Sequence, residues 1–252
     1  MHCVSALHGE PRNRRGGTLQ RRRLFGGRRD VSRLYDRWFH FTAFVLKGPY
    51  YISANCTISD GIISEDGAVL FKSATPINDF LLTAYQHFQF NYPKFYKMDN
   101  LSKLGWLTAD LLLQNTFNKD GYKSEDVGIV IANANSSLDD DLKYYDTVAD
   151  VASPSLFVYT LPNIVMGEIS IRHRFKGEQA FFVQEAFNAD FLYRQVSYLL
   201  DNDLVQACIC GWVDVLRQDY RSVLFLVEKT KKGNAVLFSA ESMDTIFNGG
   251  FE

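Results

Sequence analysis

Cysteine is scarce in this chain. Cys3, Cys56, Cys208 and Cys210 are the only four among 252 residues, too few and too scattered for a disulfide scaffold, so a reducing, cytoplasmic setting is expected. Long apolar runs are also missing: none approaches the roughly 18 residues needed to cross a bilayer, which argues against a membrane-spanning helix. There is no Gly-rich phosphate loop and no G-x-S-x-G nucleophile turn. His40, His87 and His173 stand alone, and no histidine follows His173. Cys208-Ile-Cys210 places two thiols on one side of a strand, but a metal site needs further ligands, and no nearby His or Cys supplies them. Asp139-Asp140-Asp141 lacks the spacing of a calcium loop and reads as part of a solvated loop. Neither a metal nor a cofactor is expected. Beyond residue 48 there is no internal repeat and no linker.

What is present is a core-forming composition, 46% hydrophobic and 14% aromatic, with 22% charged residues. That suffices for one large domain or two small ones. The net charge of −2 conceals an asymmetry: residues 1–47 hold ten Arg and one Lys against three acids, whereas 48–252 hold 16 basic and 26 acidic groups. The arginine runs, broken by Gly pairs, bury nothing and read as a disordered arm. Three readings apply to it. An Arg-rich arm can grip nucleic-acid phosphates, or it can be an organelle transit peptide. The preferred reading is translated upstream DNA, with the true start near Val45 or Leu46. On that reading a nucleic-acid partner is not expected, and residues 48–252 form the working domain.

From Tyr50 onward strands and helices alternate. Residues 51–58 read as a strand, 61–71 as a loop or hairpin, and 79–88 as a helix after Pro76. Asp99 caps a stronger helix, because Leu101, Leu104, Leu107, Leu111 and Leu112 recur at helical spacing. Residues 127–132 form a continuous apolar run typical of a buried parallel strand. A polar loop is expected over 133–141, a strand over 179–183, and a helix over 188–200. Further strands follow at 205–210 and 222–227, with a turn at 231–234. The fold class is therefore α/β, a layered structure with a mixed, mostly parallel sheet.

Several short motifs stand in a telling order. Ser153-Pro154 is followed by Leu161-Pro162-Asn163, Gly167, Ile169-Ser170-Ile171 and Lys176-Gly177. Lys97-Met98-Asp99 opens a helix upstream, Ser136-Ser137-Leu138 follows the buried strand, and Gly211 precedes Asp214. Together they resemble the amino-terminal half of a β-ketoacyl synthase, the thiolase-fold enzyme that condenses acyl chains on an acyl carrier protein, over about residues 51–240. The resemblance implies a thiolase-like half fold. It also implies a Cys nucleophile at the start of a buried helix, where backbone N–H groups and the helix dipole lower a thiol pKa.

Counting from either side puts that position at Ala186, preceded by Gln184 and Glu185. A methyl group cannot accept an acyl chain, so covalent catalysis by this route is absent. The family's two catalytic His and its Lys come from a second half, and this chain has no His after His173. The resemblance therefore points to a non-catalytic accessory subunit, comparable to a chain-length factor, in fatty acid or polyketide synthesis, with an aryl-polyene pathway as a narrower setting. Its expected partners are an active ketosynthase or a second copy of itself, and an acyl carrier protein. A half fold is expected to leave one apolar sheet face bare. The alternative is one half of a split condensing enzyme, with His and Lys supplied in trans and altered chemistry at Glu185.

Overall fold

The computed structural model describes residues 47–249. The arginine-rich arm, the proposed start, Cys3 and His40 lie outside the described residues. The chain opens with β1 (Tyr51–Ser59), then β2 (Ile62–Glu65) and β3 (Ala68–Lys72), so the stretch expected to be loop or hairpin is a hairpin. Helices α1 (Ile77–His87) and α2 (Asn100–Gln114) lead to β4 (Val127–Asn133). Then come α3 (Leu138–Val148), α4 (Pro154–Phe157), α5 (Ile164–His173), β5 (Gln179–Val183) and α6 (Ala189–Asp201). The end is built from β6 (Ala207–Leu216), β7 (Asp219–Glu228), the short β8 (Val236–Leu237) and α7 (Ala240–Phe247).

The strands form one mixed sheet in the order β3-β2-β1-β7-β6-β4-β5, with β8 also pairing β1. β4 runs parallel to β5 and β6; the other pairings are antiparallel. Tight turns account for the antiparallel part. β6 and β7 are joined through Arg217 (φ 60°), and β1 and β2 through Asp60 (φ 50°) and Gly61 (φ 73°). Such turns reverse the chain at once, whereas parallel neighbours need a crossover helix.

Helices cover both sides of this sheet. On one, Ile129, Ile131, Ile209, Val213 and Leu224 pack against α1, α2 and α5. On the other, Val130, Ala132, Cys210, Trp212 and Phe225 pack against α6 and α7. All seven residues of β4 are buried for that reason, as its unbroken apolar run implies. The bare sheet face expected of a half fold is therefore not found, because Leu192, Val196 and Leu200 of α6 and Met243 and Ile246 of α7 lie on it.

α6 is nevertheless not a fully buried helix. Its outer side carries an exposed ion pair, Arg194 to Asp190 at 2.6 Å. The polar stretch over 133–141 also departs from expectation. Asp139 and Asp140 belong to the first turn of α3 and are buried, since acidic side chains are favoured at a helix N-terminus. Gly211 sits within β6, with φ 150° and a hypothetical Cβ 2.0 Å from the Val223 carbonyl oxygen. Only glycine fits there.

Candidate functional site

β4 is flanked by the two strands that follow it. The chain leaves β4 to one side, passes through α3–α5 and enters β5; it then crosses back through α6 to reach β6 on the other side. Right-handed crossovers in opposite directions put their helices on opposite faces of the sheet. Accordingly, Val165 and Ile169 of α5 lie in one core and Leu192 and Val196 of α6 in the other. The loops leaving β4 and β5 thus part company at the carboxyl ends of the parallel strands, the position where open α/β sheets form their crevices.

Side chains lace this end together. Asn133, fully buried, donates from Nδ2 to the Ser136 carbonyl at 2.8 Å and accepts the Ser136 N–H on Oδ1 at 2.9 Å. This closed turn holds Ser136 at φ 52°. Asp214 on β6 accepts from the N–H groups of Ala134 and Asn135 at 3.2 and 3.0 Å and from Asn135 Nδ2 at 2.7 Å. The Gln184 N–H donates to the Asn133 carbonyl at 2.8 Å, and Ser137 Oγ donates to the Thr160 carbonyl at 2.9 Å.

One turn further on, the acidic run anchors α3. Asp139 Oδ1 accepts the Arg217 N–H at 2.8 Å, while Oδ2 takes Lys143 Nζ at 2.5 Å and Asn100 Nδ2 at 3.4 Å. With both oxygens so engaged, this is an anchor for the β6–β7 turn rather than a cation cradle, and the described residues hold no cluster suited to a metal ion. Asp140 is 1% exposed, and neither carboxylate oxygen has a hydrogen-bond partner. Burial, followed by repulsion from Asp99, lifts its pKa to about 6 despite the opposing charge of Lys143. Asp99 itself caps α2, accepting from the N–H groups of Leu101 and Ser102.

The residues singled out by the sequence fall as follows. Gln184 is half-buried and tied to β4, whereas Glu185 and Ala186 are exposed in the bend after β5. Helix α6 opens only at Ala189, and its N-cap is Asn188, whose Oδ1 accepts the Phe191 N–H at 2.9 Å. Ala186 thus stands two residues ahead of the cap. Cys208 and Cys210 do share one side of β6, within the core formed with α6, and burial pushes both thiols up. His87 packs against the rings of Phe71 and Phe88. His173 joins Arg172 on the buried carboxylate of Asp110, with Nε2 at 2.9 Å and Arg172 Nε at 3.0 Å. Asn133 and Asn135 carry no motif by which the sequence reveals them, and Asp140 stands in an acidic run that reads as part of a solvated loop.

Beside this site lies an apolar surface. Leu138, Leu142, Tyr145 and Val148 are all at least 40% exposed. Their spacing of three or four residues sets them on one side of α3. Val151, Phe157, Val158 and Leu161 continue the exposed apolar series through α4. Among the described residues β5 pairs only with β4, which leaves its other backbone edge open there, and Val183 at its end is 56% exposed.

No protein-family model matches this sequence, and no curated protein matches it. Solved structures do. The ishigamide ketosynthase/chain length factor superposes with a TM-score of 0.53 at 14% identity, covering 74% of this chain and 64% of that one. A type II polyketide synthase acyl-carrier protein in complex with its ketosynthase, bound to the hexaketide, gives 0.51 at 11% identity over 72% and 63%. A β-ketoacyl synthase from Burkholderia phymatum gives 0.50 at 9% identity over 73% and 59%. The chain thus spans under two thirds of the length of these matched chains. Among the described residues no helix is long and apolar enough to cross a membrane. The chain thus shares the layered α/β fold of these ketosynthase structures.

Proposed function

We propose that the chain is a non-catalytic accessory subunit of fatty acid or polyketide-type synthesis in the cytoplasm, pairing with an active ketosynthase and serving its acyl carrier protein. Residues 48–252 are its ketosynthase-like domain and 1–47 take no part. The observation that carries the reading is the exposed apolar series from Leu138 to Leu161 beside the open edge of β5. An edge strand flanked by apolar side chains is a ready surface for a second sheet-bearing subunit. The solved neighbours include a ketosynthase/chain length factor and a carrier-protein complex, which supports the choice of partner. Ala186 at the nucleophile position of the resemblance, on an exposed bend ahead of the helix cap, supports a non-catalytic role. An aryl-polyene pathway is the narrowest form of the proposal.

The test is recovery of the tagged full chain from its own cell extract, with mass spectrometry of what accompanies it. A ketosynthase carrying Cys and two His, lost from the Tyr145→Asp/Phe157→Asp variant, is the expected result. Monomeric, partner-free protein overturns the pairing. Condensing activity of the reconstituted pair that is unaffected by Glu185→Ala is the second expectation; loss of that activity would instead make this chain half of a split enzyme.

A further inference from the structure

A cavity of about 730 Å3 opens beside Val127, the first residue of β4. It lies at the opposite end of that strand from Asn133 and is separate from the site described above. Its walls come from the segment after α2, the last turn of α5 and the segment that follows it. Lys119, Lys123, Arg174 and Lys176 line it, and the single carboxylate among the lining residues is Asp120. None of these four cations takes part in a salt bridge among the described residues. Residues 48–252 hold 16 basic groups against 26 acidic ones, so this concentration runs against the charge of the domain. Two further acids stand close by: Glu125 feels Lys176 and Lys123, but its own backbone N–H and Ser124 hold it first, and Asp126 Oδ2 is engaged by the Lys123 N–H at 3.1 Å.

The cavity is also built on fixed backbone. The Lys176 N–H donates to the Ser124 carbonyl at 2.7 Å, clamping one wall to the other. A Cβ at Gly177 would stand 2.4 Å from the Val127 carbonyl oxygen, so only glycine allows this approach. Phe117 and Tyr122 stack at 5.3 Å and 12°, and Phe175 meets Phe117 edge-on at 5.7 Å, giving an aromatic wall beside the cations. The basic-Gly pair singled out in the sequence thus shapes this cavity and not the candidate site.

We propose that the cavity binds a small polyphosphate-bearing ligand of the nucleotide type, its phosphates among the four cations and its flat apolar part along the aromatic wall. Four cations against one carboxylate in the lining call for more than one negative charge. Lysine serves phosphate as a point charge, and arginine grips it through two N–H groups. The volume is that of a small-molecule site, for which about 300–1,000 Å3 is usual. The concave shape favours such a molecule over a flat acidic protein surface.

The experiment is calorimetric titration of the full chain with ADP and, separately, with inorganic pyrophosphate. The comparison variants are Lys119→Glu/Lys176→Glu and, as a control away from the cavity, Lys72→Glu. One saturable site is expected for ADP, weakened about tenfold or more in the double variant, as loss of charge-assisted hydrogen bonds implies, and unchanged in the control. Pyrophosphate is expected to bind the same site more weakly. Absence of saturable binding overturns the proposal. So does binding that the double variant leaves intact, since it would then belong to the arginines of residues 1–46. Equal loss in the control reduces the effect to net charge and overturns it too, while equal affinity for both probes overturns the nucleotide assignment. Both lysines are exposed, and Lys119→Gln/Lys176→Gln gives a milder pair should the reversed charges disturb folding.

Discussion

Replacing Asp140 by Asn should stabilise this protein, and by an amount that depends on pH. The Asp140 carboxyl is buried with no hydrogen bond to either oxygen, and its pKa rises from 3.8 to about 6 through burial and the neighbouring charge of Asp99. Lys143, the nearest cation, is already held by Asp139 at 2.5 Å. A carboxyl whose folded pKa is raised binds its proton more tightly when folded. Its contribution to stability is therefore complete below pH 3.8 and is lost as pH climbs through about 6. At 1.36 kcal/mol per pKa unit, a rise of this size sets an upper bound of about 3 kcal/mol on the cost of ionising Asp140 above pH 7. Asn has nearly the same shape and carries no charge at any pH. Urea unfolding followed by fluorescence of Trp106 and Trp212 should thus find Asp140→Asn more stable than the parent at pH 8, by up to about 3 kcal/mol, with the gap closing near pH 4. The other buried acids titrate in both proteins and cancel in the difference. A variant that is no more stable at pH 8, or a gap that does not change with pH, would refute the reasoning.

Two further substitutions probe the frame around the site. Burial disfavours the Asp110 carboxylate, but hydrogen bonds from His173 and Arg172 overcome this and hold its pKa below the ordinary range. Asp110→Ala strands the Arg172 guanidinium, which lies 5.5 Å from the centre of the Trp106 ring, and removes the partner of His173. A loss of about 3–5 kcal/mol, as for breaking a buried pair, should appear as a lower thermal midpoint at neutral pH. The deficit should shrink in acid, because a depressed carboxylate contributes stability above its unfolded pKa that disappears as pH falls. Gly211→Ala sets a methyl against the Val223 carbonyl at a φ that L side chains rarely adopt; a cost on the order of 3 kcal/mol, read from unfolding midpoints, is the expectation, and an unchanged midpoint would show that β6 and β7 can part there.

The layers were legible in the sequence because periodicity encodes them. The unbroken apolar run 127–132 became the doubly covered β4, and the leucines of α2 fell at helical spacing in the core. The helix α3 was not legible for a related reason. Hydrophobic pattern reveals an element that turns an apolar side inward, and α3 does the reverse. It buries Asp139 and Asp140 near the β6–β7 turn and the start of α2 and turns Leu142 and Tyr145 outward. Polar residues inside and apolar ones outside read, residue by residue, as a solvated loop. That inversion is the feature on which the proposed pairing rests, and it lies beside the edge of β5 that no described strand pairs.

The candidate site was harder still to see, because it is a product of strand order. Counting along the resemblance offers Gln184 and Ala186 as candidates, but Asp214 meets Asn135 across a gap of 79 residues, and only the return of the chain to the far side of β4 makes them neighbours. The basic cavity follows the same logic at the other end of that strand. Two short segments, neither unusual in charge alone, face one another because α2 and α5 both finish at the edge where β4 begins. A linear reading weighs each cation only against its neighbours in sequence. The fold sets Lys119 and Lys123 beside Arg174 and Lys176 with only Asp120 as a carboxylate in the same lining, and an excess of like charge costs free energy unless an anion joins it.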